Sequence, residues 1–335
     1  MTPRPPRVSV LLPVKDAAAT LPECLASLRG QSLRDHEVIA VDDGSSDGSA
    51  ALLERAAAED SRVRVLRAES PGLVGALNTG LRAARGSLLA RMDADDVAHE
   101  ERLRLQAEAL ERDRGIDILG ARVTVLGGTA NAGMRAYVDW SNGLVGDAAI
   151  RRDLYVESPL VHPSVTLRTQ VLHALGGYRD YDGPEDYDLW LRAAARGVRF
   201  AKLEESLLLW RDGPARLTRR DPRYSPDRFR ERKIEALLDG PLAGRDTVVW
   251  GAGQIGKAWS RALGERGVRV RAFVEVDPRK LGQRIHGAPV VDVDAGSALR
   301  GALHLAAVGQ PGARERIRAV ARGRGLDDAD LVAVA

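Results

Sequence analysis

Cysteine is all but absent from this chain of 335 residues, which carries a single one, Cys24. A lone cysteine excludes an internal disulfide and fits a reducing compartment. Cys24 falls with Leu21, Leu25 and Leu28 on one helix face, so it reads as core filling and not as a nucleophile. No uninterrupted apolar stretch approaches the roughly 20 residues that span a bilayer. The N-terminal MTPRPPRVSV lacks the apolar core of a secretory signal. Strong charge is missing too: 50 Lys and Arg against 47 Asp and Glu leave a formal charge of +3. That balance does not imply nucleic acid. We therefore expect a cytoplasmic, soluble protein with no nucleic-acid partner. Aromatics are few at 4%, but apolar residues reach 44%, and the length suffices for two ordinary domains with cores of their own.

The stretch SLLARMDADDV, residues 87–97, organises the first two-thirds of the chain. A short apolar run bounded by Gly86 and by acids reads as a buried strand ending at a site. Alternation along an extended chain puts Asp93 and Asp95 on one side. Two hard oxygen ligands there suit Mg²⁺ or Mn²⁺, which keep waters and share their sphere with phosphate oxygens. A lone D-x-D describes a solvated acidic turn equally well, so its setting decides.

That setting is regular. Residues 8–12 form a β-rich run stopped by Pro13, and Thr20-Leu-Pro-Glu23 reads as a capping box opening a helix to about Gln31. A second strand at 38–41 ends in Asp42-Asp43-Gly44-Ser45-Ser46-Asp47-Gly48. A helix at 49–58, a strand at 63–66 and a helix at 72–85 follow, the last with Leu73, Leu77 and Leu81 on one stripe. Strand and helix alternate four times, and every strand is apolar throughout. This is the pattern of an α/β parallel sheet covered on both faces. Ligands of such sheets sit beyond the carboxyl ends of the strands, where Asp42, Asp43, Asp93 and Asp95 all fall.

VSVLLPVKDAAATLPECLASLRGQS, VIAVDDGSSDGS and LLARMDADDVAHEERL, in this order, resemble the family-2 glycosyltransferases of the GT-A fold. The resemblance implies a nucleotide-diphospho-sugar transferase with a mostly parallel sheet and helices on both faces. It implies that Pro13 and Asp43 line the pocket for the donor's base, with Asp43 accepting its imide N–H. Asp93 would face the ribose, Asp95 would hold a metal bridging the diphosphate, and Asp96 would support them. One departure concerns Lys15, which stands where many relatives carry an aromatic that stacks on uracil.

Further on, residues 118–126, the Gly127-Gly128 turn and residues 134–140 read as a mixed, partly antiparallel edge, and 146–154 as a helix. Then comes SPLVHPSVTLRTQVLHALGGYRDYDGPEDYDLWLRAAARG. Pro163 forces an extended approach to 164–167, a short helix covers 168–175, and Glu185-Asp186 opens a helix with Leu189, Trp190, Ala193 and Ala194 on its apolar face. Acids in a first helical turn oppose the macrodipole in many proteins without further purpose. The same family, however, shows this block at this distance from its D-x-D. By that resemblance Asp186 is the general base toward an acceptor hydroxyl, and Glu185 orients or contacts the acceptor. His162 is left unassigned between a metal or acceptor contact and a turn-fixed histidine.

Residues 211–233 are densely basic, tempered by Asp212, Asp221, Asp227 and Glu231 and broken by Pro214, Pro222 and Pro226. The segment reads either as a solvated loop or as a flap whose Arg219 or Arg220 meets the departing diphosphate. Arg211-Asp212-Gly213 lacks the histidine of the R-x-H pair that relatives often show there. The patch also allows a peripheral contact with the inner face of a membrane.

After Gly240-Pro241 the pattern restarts. A strand at 247–250 runs into Gly251-Ala-Gly253-Gln-Ile-Gly256 and a helix, and a second strand at 268–276 carries Glu275. This is the dinucleotide fingerprint in its required setting. Those residues make a possible nucleotide site, NAD(P) included, although such glycines also serve tight packing alone and we expect no tight NAD(H) binding. The stretch, about ninety residues long, resembles the small Rossmann-like domains of some bacterial sugar-modifying enzymes and amounts to half of a full doubly wound domain. The expected organisation is a transferase domain at 1–230, a linker at 231–245 and a Rossmann-like domain at 246–335.

The reading is an inverting, metal-dependent transfer of a sugar, UDP-linked by the resemblance, to a saccharide or lipid-linked saccharide acceptor. Its setting would be cell-surface polysaccharide or lipopolysaccharide synthesis. Two alternatives stand beside it. An NAD-dependent sugar oxidoreductase centred on the C-terminal domain would need a catalytic tyrosine, and residues 276–335 contain none. A non-catalytic nucleotide-sugar-binding protein would bind donor without hydrolysing it.

Overall fold

The computed structural model describes residues 4–127, 132–213 and 216–335. Gly128, half of the expected turn, and Pro214 lie outside the described residues. The chain forms two compact units, Met1–Ile150 with Pro159–Pro222, and Arg151–Ser158 with Arg223–Ala335. No helix among the described residues is long and apolar enough to cross a membrane.

The first unit opens with the alternation that its apolar runs predict. β1 (Val8–Val14), α1 (Leu21–Arg29), β2 (His36–Asp42), α2 (Ser49–Glu59), β3 (Val63–Arg67), α3 (Leu73–Ala83) and β4 (Leu88–Arg91) follow in turn. Then come β5 (Val97–Ala98), α4 (Arg102–Arg112), β6 (Ile118–Leu126), α5 (Ala132–Gly143), α6 (Asp147–Asp153), β7 (Thr166–Arg168), α7 (Thr169–Ala174), α8 (Glu185–Ala195), β8 (Phe200–Arg211) and α9 (Leu217–Arg220). The sheet has eight strands in the order β3-β2-β1-β4-β7-β6-β8-β5. β3, β2, β1 and β4 are parallel. β7 runs antiparallel between β4 and β6. The chain steps outward from β1 to β3 and then returns to β4 on the other side of β1. The gap beyond the ends of β1 and β4 is therefore a topological switch point, where ligands of open sheets bind.

Several local expectations change. Pro13 does not stop β1, which continues to Val14 opposite Asp42. β4 pairs only with Val8–Leu11, so the proline's missing N–H faces a side without a partner strand. Thr20 makes no cap bond. Its hydroxyl instead donates to the carbonyls of Ala17 and, at 3.1 Å, Ala94. Residues 134–140 are helix α5 and not a strand, because Met134, Tyr137 and Val138 face the core at helical spacing. β6 is no edge: β8 pairs with it over nine positions, an element the sequence reading did not include.

Glu37 shows how the β1–β2–β4 layer is fastened. Its buried carboxylate accepts from Ser9 Oγ at 2.7 Å, Arg64 at 2.9 Å and Arg85 at 2.6 Å, and Ser9 Oγ in turn accepts the Gly86 N–H at 2.8 Å. Burial pushes this carboxyl up, but the hydrogen bonds from Arg85, Ser9 and Arg64 outweigh it and hold the group below its ordinary range. The folded value is depressed, so this stability is present above the unfolded pKa and fades as pH falls through the folded one. We expect Glu37→Ala to cost about 2 kcal/mol in urea unfolding: the buried Ser9 hydroxyl loses its acceptor, while Arg64 and Arg85 are exposed enough to turn to water. An unchanged midpoint would show that the network is dispensable.

In the second unit, α10 (Pro226–Leu238) is capped by Ser225 with Pro226 at its start. The segment expected as a linker, 231–245, is therefore not one: Ile234, Leu237 and Leu242 are buried in a core with Val249, Trp259 and Leu263. β9 (Thr247–Trp250), α11 (Gln254–Gly264), β10 (Val270–Val274), β11 (Arg284–Ile285), β12 (Ala288–Val291), α12 (Val293–Ser297), β13 (Leu303–Ala306), α13 (Ala313–Gly323) and β14 (Leu331–Ala333) follow. The sheet order is β11-β12-β10-β9-β13-β14. All its pairs are parallel except β11 with β12. The unit is thus doubly wound around β9, more than the half domain expected. β12 and β14 were missed because each is only three or four residues long.

Candidate active site

The acids of the switch point are gathered by a turn. The chain leaves the extended state after Arg91, and Asp96 N–H bonds back to the Asp93 carbonyl at 3.3 Å. Strand alternation therefore does not set the relation of Asp93 to Asp95. The turn does, and it brings one carboxylate oxygen each of Asp93, Asp95 and Asp96 within 4.8 Å of one another. α1 supports this turn from below: Thr20 holds the Ala94 carbonyl, and the Cys24 thiol donates to the Asp93 carbonyl at 3.4 Å. Burial, then the acids themselves, push that thiol far up, which fits core filling.

Crowded carboxylates in a partly dry site repel. Burial, then Asp93, pushes Asp95 up to about 6. Burial and the same neighbours raise Asp96 well above the carboxylate range. Asp96 accepts the Arg211 N–H at 2.8 Å through Oδ1, while its buried Oδ2 has no hydrogen-bond partner. An orphaned buried carboxylate oxygen beside two more acids is a hard, oxygen-rich donor set. Those residues fit a divalent cation of the Mg²⁺ or Mn²⁺ kind.

Two buried guanidiniums lie under the turn, and the sequence reading gave them no role. Arg91 donates to Asp93 Oδ1 at 2.6 Å and to the Met92 carbonyl. Arg102 donates to the Arg91 carbonyl at 2.7 Å. Burial draws Arg102 down to about 10. The Arg91 backbone N–H donates to the Val165 carbonyl at 2.9 Å, and the Val165 N–H bonds back to the His162 carbonyl, which ties the acid turn to the second motif.

That second motif is built as follows. Arg192 of α8 pairs with Asp188 at 2.6 Å and donates to the Leu175 and Gly177 carbonyls, fixing the helix to the end of α7. Asn78 of α3 clamps Tyr178 through both its backbone groups, at 2.8 and 3.0 Å. The Tyr178 hydroxyl meets His162 Nε2 at 3.0 Å, and His162 Nδ1 lies 3.5 Å from buried Glu185 Oε1. Burial, then Arg91, holds the imidazole below its ordinary pKa. His162 is thus bracketed by side chains and orients Glu185. Asp186, next along α8, is half-buried, with Oδ1 on the Tyr187 N–H at 2.7 Å. Burial, with smaller contributions from Glu185 and Asp186, pushes the Tyr178 hydroxyl up against the opposing charge of Arg91. Asp93 and Arg91 are joined through Val165 to His162, which holds Tyr178 and Glu185 at the start of α8.

The residues expected on the donor side sit on adjacent strand ends. With strands about 4.8 Å apart, the ends of β2, β1 and β4 span roughly 10 Å. Asp43 accepts the Gly72 N–H at 2.9 Å through Oδ1. Lys15 donates from Nζ to the carbonyls of Asp43 at 2.7 Å and Gly44 at 2.8 Å, so it braces the pocket loop. Pro13 is buried beside Val41.

The basic segment is more ordered than a loop. Arg219 is engaged by buried Asp212 at 2.8 Å, and Arg220 lies on the exposed face of α9. Arg211 and Arg216 are nearer to the acids. Arg211 Nε donates to the Asp95 carbonyl at 2.6 Å, and Arg216 stacks on Trp210, 3.9 Å from the ring centre. The Arg216 charge favours ionised Asp95 and Asp96. Truncating Arg211 to alanine should loosen the turn and raise the donor KM about tenfold with kcat nearly kept; a kcat-only loss would contradict this. Along α10, Arg228, Arg230 and Arg232 each pair with an acid three residues away, which neutralises much of the patch proposed for a membrane.

In the second unit the fingerprint glycines divide their roles. Gly251 has φ +105° and no room for a side chain beside Val308. A Cβ on Gly256 would lie 1.9 Å from the Gly251 carbonyl oxygen, so it serves helix–turn packing. Gly253 opens α11 with nothing within 4 Å of a Cβ. Glu275 turns inward, accepting the Ala252 N–H at 3.2 Å and the Lys280 ammonium at 2.8 Å.

Comparison with known proteins agrees with this architecture. The sequence pattern of glycosyl transferase family 2 matches residues 9–175. EpsE of Bacillus subtilis (strain 168), itself assigned as a glycosyltransferase, is 30% identical over 227 residues, 66% of this chain and 79% of EpsE. S. aureus TarS 1–349, solved with UDP-GlcNAc, superposes with a TM-score of 0.55 at 17% identity, over 77% of this chain and 80% of that one. The mannosyltransferase PcManGT of Pyrobaculum calidifontis, solved with GDP-Man and Mn²⁺, gives 0.51 at 21% identity, over 70% and 63%. The structural likenesses establish a shared GT-A fold, with a second sheet beside it in this chain. The family pattern and the match along most of EpsE carry the assignment further: this chain belongs to glycosyl transferase family 2.

Proposed function

We propose that the chain moves a sugar from a UDP-linked donor to a hydroxyl of a saccharide or lipid-linked saccharide, with inversion, in cell-surface polysaccharide or lipopolysaccharide assembly. The observation that carries this reading is the run of contacts from the acid turn to the start of α8: Asp93 on Arg91, the Arg91 backbone N–H on the Val165 carbonyl, and His162, just before Val165, on both Tyr178 and Glu185. Donor and acceptor machinery then share one rim. Asp43 has one carboxylate oxygen on Gly72, leaving the other to accept a single imide N–H from the base. Asp93, oriented by Arg91, faces the ribose. A divalent cation on Asp95, with Asp96 in support, would neutralise charge on the departing diphosphate.

Asp186 takes the acceptor's proton, and Glu185, fixed by His162, orients the hydroxyl. Arg219 or Arg220 meets the diphosphate, for which Arg219 must first leave Asp212. The location is proposed to be cytoplasmic, with any membrane contact made through residues 211–233. A melting screen against nucleotide sugars tests the reading. UDP-sugars with Mn²⁺ should raise Tm, by mass action worth about 2.7 kcal/mol at a hundredfold excess over Kd. No shift with any nucleotide sugar would overturn it.

A further inference from the structure

The fingerprint turn of the second unit adjoins a cavity that the transfer reaction does not use. Its volume is about 520 Å³, within the range of small-molecule sites. Tyr224, Phe229 and Trp259 supply aromatic walls, Arg230 and Lys233 supply positive charge, and Ile255 lines it from the first turn of α11. Glu157 also lines it and partly offsets Lys233.

Three independent features meet there. The first is charge inside an apolar wall: Lys233 is buried with its ammonium on the Val156 carbonyl at 2.7 Å. Arg230 pairs with Asp227 through one nitrogen, while its buried Nε has no hydrogen-bond partner. The second is topology. α11 rises from β9 beside β13, where the strand order reverses, and Val334 and Ala335 of the cavity follow the carboxyl end of β14. The third is the head of α11, an 11-residue helix: Gln254 and Ile255 line the cavity, and Gly253 just before them has open space where a side chain would stand.

We propose that this cavity binds a nucleoside monophosphate or a closely similar phosphate ester of a planar molecule. The aromatic walls take the planar body. The phosphate lies toward Arg230, Lys233 and the α11 amides, where partial positive charge accumulates. A dinucleotide is disfavoured, because the acid that would take its ribose, Glu275, already holds the Ala252 N–H and Lys280.

The test is calorimetric titration of the full chain with AMP in EDTA. Gly253→Val and Arg230→Gln are the variants, with Asp43→Ala as a first-unit control. Gly253 has extended backbone and open surroundings, and Arg230 loses only a surface pair with Asp227, so both variants should fold. The proposal requires AMP to bind the parent chain and the Asp43→Ala variant equally. It also requires each second-unit variant to bind about tenfold more weakly or worse. No AMP binding at millimolar concentration overturns it. So does binding that survives both second-unit variants, or binding that is lost in Asp43→Ala. None of these outcomes bears on the transferase reading, which rests on donor binding with Mn²⁺.

Discussion

Replacing Asp186 by asparagine is expected to lower kcat by about 10²–10⁴-fold, the range that a positioned general base supplies. The substitution keeps the size of the side chain and an oxygen for the Tyr187 N–H, so α8 should start unchanged. It removes only the negative charge proposed to take the acceptor's proton. Donor affinity, proposed to be set at the strand ends of β1, β2 and β4, should stay at the parental value. The signature is therefore a fall in kcat with donor Kd unmoved, read by initial rates beside calorimetry. A fully active variant would place the base elsewhere. Donor affinity falling in step with turnover would make Asp186 part of the donor pocket.

Asp95→Ala should abolish the Mn²⁺-dependent part of UDP binding. Burial and Asp93 already push this carboxyl up to about 6, so its charge is poorly tolerated without a cation. Removing it relieves repulsion, and the metal-free Tm should be no lower than that of the parent. Calorimetry with UDP, with and without Mn²⁺, separates the two effects. In the parent, the metal contribution should weaken as pH falls through about 6, because protons then compete for Asp95. Equal UDP affinity in variant and parent with Mn²⁺ would remove Asp95 from the metal site.

Much of this was legible because strands buried on both faces appear as unbroken apolar runs, and Asp43 and Asp93 stand where such runs end. Glu185 and Asp186 were singled out only by the resemblance of the block around them to the family, since acids at a helix start are common without further purpose. What lay hidden depends on distance. Arg211 reaches Asp96 across 115 positions, and no local pattern announces that bond. Arg91 and Arg102 look in sequence like ordinary surface charges, yet both are almost wholly buried. β8 escaped because Glu204, Glu205 and Ser206 interrupt it, at a register shift where the strand turns polar residues outward. The 231–245 segment contains Gly240-Pro241, which suggests a break, but Leu237 and Leu242 on either side belong to one core.

The one sulfhydryl in the chain lies sealed under the Asp93 carbonyl. Alkylating reagents would therefore meet no competing group on the folded surface. A cysteine introduced at any exposed position would stand alone for attachment of a spectroscopic label. Exposure of the original thiol, in turn, would report that α1 had parted from the acid turn. The fold thus carries its own chemical alarm for loosening of that junction.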